Sequence, residues 1–379
     1  MQKLSVVLCG LRFGGAFVPI YRDHPDVSVI GIYDPDTALM QEVSQFFGIS
    51  RTYGSYEEVL QDASVDAVHL VTPIPMHEEQ TILALRTGKH CACTVPMAVT
   101  LEGLCEIIRA CEETGKKYMM METSAYTRQF LMAKEMKEEG IFGRIQFLRG
   151  CHYQDMENWP DYWHGLPPMH YATHAVTPMV LLAGARANRV VCFGSGTMRE
   201  ELVEQYHNPY PFESALVGFA NGIKGEVSRS LFETARTYLE GMFVYGSKAS
   251  FEWGFADNDN PIITRLVPSE TRGFNTPHET VKATAFFKTL PSEIQRYTVS
   301  AADYDETQPE NSLSEGAAGG HHGSHPHLVH EFIRSILEDR QPAMHARLSA
   351  NITAVGICAH LSAMAEGKEM AVPTFEHID

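Results

Sequence analysis

The segment LSVVLCGLRFGG, Leu4 to Gly15, decides how the rest of the chain is read. An apolar, β-branched run reaches Gly10 and stops, which is the pattern of a buried strand. Gly10, Leu11, Arg12, Phe13, Gly14 and Gly15 then make a turn that opens a helix. The turn is a variant of G-x-G-x-x-G. Its outer glycines fall at Gly10 and Gly15, its middle place is Arg12, and Gly14 stands one place before the end. Glycines let the backbone approach a pyrophosphate seated on a helix N-terminus, and Arg12 can lie over the phosphates as a charge. A second strand, VSVIGIYD (27–34), ends in Asp34. That acid lies about 20 residues past the turn, where a carboxylate bonds a ribose 2′-hydroxyl and repels a 2′-phosphate. Either feature alone has a bland reading, a tight βα turn or the start of DPD. Together they predict bound NAD.

Working outward, strands alternate with helices. A helix over about 37–47 ends at Gly48, DAVHLVT (66–72) is a buried strand, and PMHEEQTILALRTG is a helix with Gly88 at its C-terminal cap. HCAC is the next strand. Thr100 N-caps LEGLCEIIRACEET, which Gly115 ends, and KYMMMET is one more strand. Continuous apolar strands alternating with helices imply a parallel sheet covered on both faces. The expected architecture is α/β. A Rossmann domain occupies 1–123, and an α/β domain with a large, mostly antiparallel open sheet occupies 124–379.

A chain of 379 residues is long enough for about two domains of the usual ~100–200 residues. The net charge of −17 argues against nucleic acid or an anionic membrane as a partner, because both want lysine and arginine on one face. No signal peptide pattern opens the sequence, and no apolar run approaches the roughly 18 residues of a membrane span. The eight cysteines are scattered through apolar strands and helix faces, which reads as reduced, buried side chains in a cytoplasmic protein, with no metal site among them.

At VTPIPMH (71–77), KHCACTVPMAVT (89–100) and HYATHAVTP (170–178) the chain resembles the Gfo/Idh/MocA family of NAD(P)-dependent sugar oxidoreductases. The resemblance runs over essentially the whole chain. It implies a small-molecule carbohydrate substrate and an open sheet whose back makes a homo-oligomer, a dimer or tetramer. It places Thr72, Pro73 and His77 along the nucleotide, Thr94, Val95 and Pro96 beside the nicotinamide ribose, and Glu122 near cofactor and substrate. The family's second motif falls on His170, His174 and Thr177. Two departures matter. Val95 stands where the family has a lysine, and His170 where it has an aspartate. Lysine and histidine together handle the proton of the sugar hydroxyl in the family, and Val95 carries no proton at any pH.

One branch has E-V-P and Y-x-T-H at these places, as this chain has Val95-Pro96 and YATH (171–174), and it shares the look of MMMETSAYTRQF and EEGIFGRIQFLRGCHYQDM. That branch contains NAD-dependent glycoside hydrolases. This chain departs from it at Thr94, where the branch has glutamate. Cleavage there proceeds by oxidation at C3, loss of the C2 proton, elimination at C1, addition of water and return of the hydride. Such a cycle needs several tuned proton carriers near one face of a sugar. GCHYQDMENWPDYWHGLPPMHYATHAVTP (150–178) is dense in them. The expectation is His174 as acid/base, Tyr171 beside it, Tyr153 facing it from the preceding strand, and His170 sharing its helix face four residues away. Trp159 and Trp163 are candidates to stack on sugar rings. Two further readings stay open: a sugar dehydrogenase using free NAD(P), and an NAD-binding regulator without turnover.

Beyond residue 188, RVVCFGSGTM, SALVGFA, KGEVSRSLF, YLEGMFVYG and KASFEWG read as strands of an antiparallel meander. The polar stretch 256–320 reads as long loops or a lid. In GGHHGSHPHLVHEF (319–332) Ser324 is placed as an N-cap with Pro326 in the first turn, so its histidines straddle a loop that reaches the active site.

Overall fold

The computed structural model describes residues 3–256, 259–271, 273–284, 286–298 and 320–376. The chain divides into two compact units, Met1–Arg128 with Ala285–Ser349, and Gln129–Thr284 with Ala350–Asp379. The sequence alone placed one boundary after residue 123. In the structure a later segment, containing the helix His325–Leu337, belongs to the first unit.

Among the described residues the first unit holds a six-stranded parallel sheet: β1 (Leu4–Cys9), β2 (Val27–Tyr33), β3 (Arg51–Thr52), β4 (Ala67–Leu70), β5 (His90–Cys93) and β6 (Tyr118–Met120). The order is β3-β2-β1-β4-β5-β6, so the chain reverses direction of travel between β1 and β4. Val6, Val7, Leu8, Val68 and Leu70 are fully buried, as strands covered on both faces must be. The predicted helices form at Thr37–Phe47, His77–Arg86 and Leu101–Thr114. Thr100 Oγ1 accepts from the Gly103 amide at 3.0 Å, and Gly115 closes that helix in the left-handed region. The short strand β3 and the helix Tyr56–Gln61 carry too little periodicity to be seen in sequence.

The second unit is built on β7 (Ile145–Tyr153), β8 (Ala187–Ser195), β9 (Phe212–Phe219), β10 (Lys224–Ser230), β11 (Leu239–Gly246), β12 (Ala249–Glu252) and β13 (Ile262–Arg265). A two-stranded ribbon, β14 (Val267–Ser269) with β15 (Gly273–Asn275), interrupts it, and β16 (His278–Thr280) and β17 (Met370–Ala371) close its edges. The nine-stranded order among the described residues is β16-β13-β12-β11-β7-β10-β9-β8-β17. The expected meander is therefore corrected in one respect. β7 inserts between β10 and β11, parallel to the first and antiparallel to the second. The expectation of loops or a lid over 256–320 is also corrected where it can be seen. β13 and β16 from this stretch extend the sheet, and residues 299–319 lie outside the described residues.

The helix Thr173–Ala183 packs on one face of this sheet. A Cβ on Gly150 of β7 would come within 2.2 Å of the Ala175 carbonyl oxygen, and one on Gly225 of β10 within 2.6 Å of Met179 Cε. Glycine at both places lets the helix sit close over β7 and β10. The eight cysteines are free. No helix among the described residues is long and apolar enough to cross a membrane.

Candidate active site

In the first unit the predicted nucleotide-binding residues collect at the carboxyl ends of parallel strands. Gly10 follows β1, Asp34 follows β2, Thr72 and Pro73 follow β4, Thr94 to Pro96 follow β5, and Glu122 follows β6. The sheet's reversal point lies between β1 and β4, where open α/β sheets bind ligands. Gly10 has φ +92°, and a Cβ there would stand 2.3 Å from the Val71 carbonyl oxygen, so only glycine makes this turn. The two following glycines differ in role. A Cβ on Gly14 would press on Leu8 Cδ2 at 3.1 Å, whereas one on Gly15 would meet nothing within 4 Å. Gly14 packs the turn on β1, and Gly15 leaves open space at the mouth of the turn. Arg12 is exposed and Phe13 half-exposed, the latter ring edge-on to His321 and His325. The histidine-rich segment thus lies against the glycine turn of its own unit.

Buried Asp34 accepts from the Leu11 amide through Oδ2 (2.7 Å) and from the Asp36 amide through Oδ1 (2.8 Å). It clamps the glycine turn and keeps further lone pairs for a ribose hydroxyl. His77 sits between two carbonyls, that of Pro96 at Nδ1 (2.8 Å) and that of Thr72 at Nε2 (2.9 Å). Burial pushes its pKa down against the pull of those carbonyls, and the ring fastens one strand-end turn to the other. Val95 is buried at 7% exposure and the Val95–Pro96 peptide is cis. Thr94 bonds back to the Leu70 carbonyl, and Glu122 Oε1 accepts from the Ser124 amide at 3.0 Å. A glycine cradle, open space at Gly15 and a buried acid after β2 fit a dinucleotide without a 2′-phosphate.

In the second unit His174 is buried in the first turn of the helix Thr173–Ala183. Its Nε2 lies 3.5 Å from the Tyr171 hydroxyl and its Nδ1 3.5 Å from Glu240 Oε1. Glu240 is itself buried, and Tyr238 donates to its Oε1 at 2.5 Å. The carboxylate favours a proton on Nδ1, which leaves the Nε2 lone pair facing Tyr171. The ring of His152 stands edge-on to His174 at 4.7 Å and to Tyr238 at 5.3 Å.

These side chains belong to one buried row. Strand register places Glu213 of β9 opposite Arg229 of β10, Arg229 opposite His152 of β7, and His152 opposite Glu240 of β11. Directly opposed residues share a sheet face, here the face under the helix. Arg229 is fully buried. Its Nε donates to the Tyr171 carbonyl (3.0 Å), Nη1 to those of His152 (2.9 Å) and Ser230 (2.8 Å), and Nη2 to Gln154 Oε1 (3.1 Å). Burial draws its pKa down to about 10, against the pull of Tyr171, Tyr238 and Glu240.

Four sequence expectations are corrected here. Tyr153 does not face His174. Strand alternation turns it to the opposite face, where its hydroxyl meets Ser228 Oγ at 2.7 Å and its ring lies by Phe212. His152, which the sequence argument passed over, points to the site instead. His170 does not share a helix face with His174, because the helix begins at Thr173 and His170 lies in the 3-10 turn Pro168–Tyr171. Its ring is edge-on to His360 at 5.1 Å, and burial beside that ring lowers its pKa to about 3. His360 in turn bonds Glu213 at 2.8 Å, and Glu213 accepts from the Met169 amide at 2.8 Å. Trp163 is buried behind Tyr171 at 4.8 Å and offers no free ring face, while Trp159 is exposed. Ser324 precedes the helix His325–Leu337 as predicted, with Pro326 in the first turn, but its side chain makes no capping bond. Glu240, Arg229 and Tyr238 were missed because nothing local marks them.

Residues 4–122 match the model of the oxidoreductase family with an NAD-binding Rossmann fold. The chain is 27% identical over 237 residues to a 1-carboxy-3-chloro-3,4-dihydroxycyclohexa-1,5-diene dehydrogenase of Comamonas testosteroni, covering 60% of this chain and 58% of that one. It is 29% identical over 198 residues to an alpha-N-acetylgalactosaminidase of Shewanella oneidensis, covering 48% of this chain and 42% of that one. It therefore spans about half the length of the curated relatives it matches. A solved levoglucosan dehydrogenase in complex with NADH and L-sorbose superposes with TM-score 0.77 at 22% identity, covering 98% of this chain and all of the other. An NAD-binding oxidoreductase from Klebsiella pneumoniae does so with TM-score 0.78 at 18% identity, covering 98% of this chain and 99% of that one. Those two likenesses show the fold.

Proposed function

We propose, for a chain whose residues 4–122 match the model of the oxidoreductase family with an NAD-binding Rossmann fold, that the protein cleaves a glycosidic bond with no net redox change. The observation that carries this reading is His174, held between the Tyr171 hydroxyl and the Glu240 carboxylate at 3.5 Å each. Bound NAD supplies hydride uptake and return, which turns a ring carbinol into a ketone and back and acidifies the neighbouring C–H. The chain's own residues do the rest. The Gly10–Gly15 turn takes the diphosphate, Asp34 takes the ribose hydroxyl, and no 2′-phosphate is accepted beside that acid. His174 Nε2 takes the proton of the acidified carbon, the C1–O bond breaks with its electron pair on the departing oxygen, and water adds at C1 before the ketone is reduced. Tyr171 donates to the oxygen that develops charge. Glu240 holds the imidazole in the tautomer that leaves Nε2 basic and stabilises the imidazolium that forms. Val95 takes no part in this traffic, so the proton work falls to the second unit. The alpha-N-acetylgalactosaminidase relative supports the reaction class, and the sugar is left open.

A second reading is a dehydrogenase or reductase that exchanges free NAD(P), favoured by the dehydrogenase relative of Comamonas testosteroni. Incubation with nitrophenyl glycosides and NAD, following nitrophenol and NADH on one sample, separates the two. Nitrophenol without net NADH is the expected result. NADH without nitrophenol returns the protein to the dehydrogenases. Silence in both channels with tight NAD binding leaves the regulator. A homo-oligomer is also proposed, because Phe193 (61% exposed) and Leu216 (58%) stand on the sheet face opposite the helix Thr173–Ala183. Light scattering on the eluting protein tests it.

A further inference from the structure

Arg229 is a full positive charge in the interior, and its placement is specific. Among the described residues its hydrogen bonds all go to neutral acceptors: three backbone carbonyls and an amide oxygen. Among the described residues no carboxylate lies within 4.0 Å of the guanidinium, although strand register sets Glu213 directly opposite it. An arginine kept only for packing would be cheaper as an apolar side chain, because burying a charge without a close counter-charge is costly. What the guanidinium does have is Tyr171. Nε holds the Tyr171 carbonyl, and the guanidinium carbon stands 5.4 Å from the centre of the Tyr171 ring. Arg229 also holds the His152 carbonyl, so it ties the strand beneath His174 to the turn that carries Tyr171. A cation over a phenol ring stabilises the charge left when the phenol gives up its proton.

We propose that Arg229 is a positioning residue that fixes Tyr171 beside His174 and supplies the positive charge that makes the Tyr171 hydroxyl a proton donor. This deepens the proton-transfer reading above and rests on it. Two other tyrosines provide the contrast. Burial pushes the phenols of Tyr21 and Tyr56 up, and no cation offsets it.

The test labels the tyrosine ring carbon that bears oxygen with ¹³C in the full chain and follows each phenol by NMR from neutral to alkaline pH. The Tyr171 signal is the one lost in Tyr171→Phe. No substrate is needed, so the result stands whether or not glycosides are cleaved. Tyr171 is expected to ionise well below Tyr21 and Tyr56. Arg229→Lys, which keeps a charge, should leave its titration close to wild type. Arg229→Gln, which keeps neutral donors and loses the charge, should move it up by about one pH unit, a tenfold change in the ionisation constant. An unmoved titration in Arg229→Gln would overturn the proposal. So would a wild-type Tyr171 that stays protonated as long as Tyr21 and Tyr56, a comparison that decides the matter if the Gln variant does not fold. Where turnover is found, the basic limb of the kcat/KM profile should follow the NMR shift in Arg229→Gln. A uniform loss of rate with no movement of that limb also overturns it. Absence of turnover with every glycoside would defeat the proposed reaction and leave the NMR outcome to judge Arg229.

Discussion

At one end of the buried row Glu213 gives both oxygens away, one to His360 at 2.8 Å and one to the Met169 amide at 2.8 Å. At the other end Glu240 Oε1 serves Tyr238 at 2.5 Å and stands 3.5 Å from His174. Both are buried carboxylates beside a buried histidine, on the same face of the same sheet. The short, directed contacts at Glu213 tie strand β9, the helix Ala346–Met364 that carries His360 and the turn before Tyr171 into one piece. The longer spacing at His174 suits the acid–base role proposed for that imidazole. Residue type does not separate a fastener from an acid–base group. The length of the contact to the histidine does.

The largest expected effect breaks the Glu240 end. His174→Ala should lower turnover by about 10³-fold, roughly 4 kcal/mol on the barrier, with NAD binding retained. The two-channel glycoside assay beside an NAD titration measures it, and a variant with most of its activity would remove His174 from the site. Breaking the Glu213 end should act on folding instead. Glu213→Ala leaves His360 and the Met169 amide without their acceptor and should cost about 3 kcal/mol in urea unfolding, with a smaller change in rate per folded molecule. Equal losses of rate from both ends would erase the distinction drawn between them.

Acidity sharpens the comparison further. His170 has its pKa lowered to about 3 by burial and by His360, so the folded protein holds it neutral while the unfolded chain protonates it near the ordinary value of about 6.5. The unfolded state then binds more protons below that value, and stability is lost as pH falls from about 6.5 towards 3. Between pH 7 and 5 this amounts to about 1–2 kcal/mol, and a His170→Gln variant should show a flatter stability profile in urea unfolding at the two pH values. The smallest effect is expected at Tyr153. Tyr153→Phe loses the bond to Ser228 on the opposite sheet face and should cost under about 1 kcal/mol, with turnover unchanged. A large loss of turnover there would put the chemistry on the wrong side of the sheet.

The sequence by itself determined most of the parallel sheet of the first unit and the turns at its carboxyl edge. The turn at Gly10, the acid at Asp34 and the strand–helix alternation are local signals, because periodicity, caps and a positive φ act within a few residues. The proximity of His174 to Tyr171 was legible for a related reason: they lie within one short motif. Only the tertiary structure decided which neighbours they have. Glu213, Arg229, His152 and Glu240 come from four strands and meet through register, which no single stretch encodes. The choice between His152 and Tyr153 shows the limit most plainly. Alternation says that they point to opposite faces, and Gly150 shares the face of His152. Which face receives the helix depends on how close its backbone can come to Gly150 and Gly225, a packing fact fixed only once the sheet is assembled.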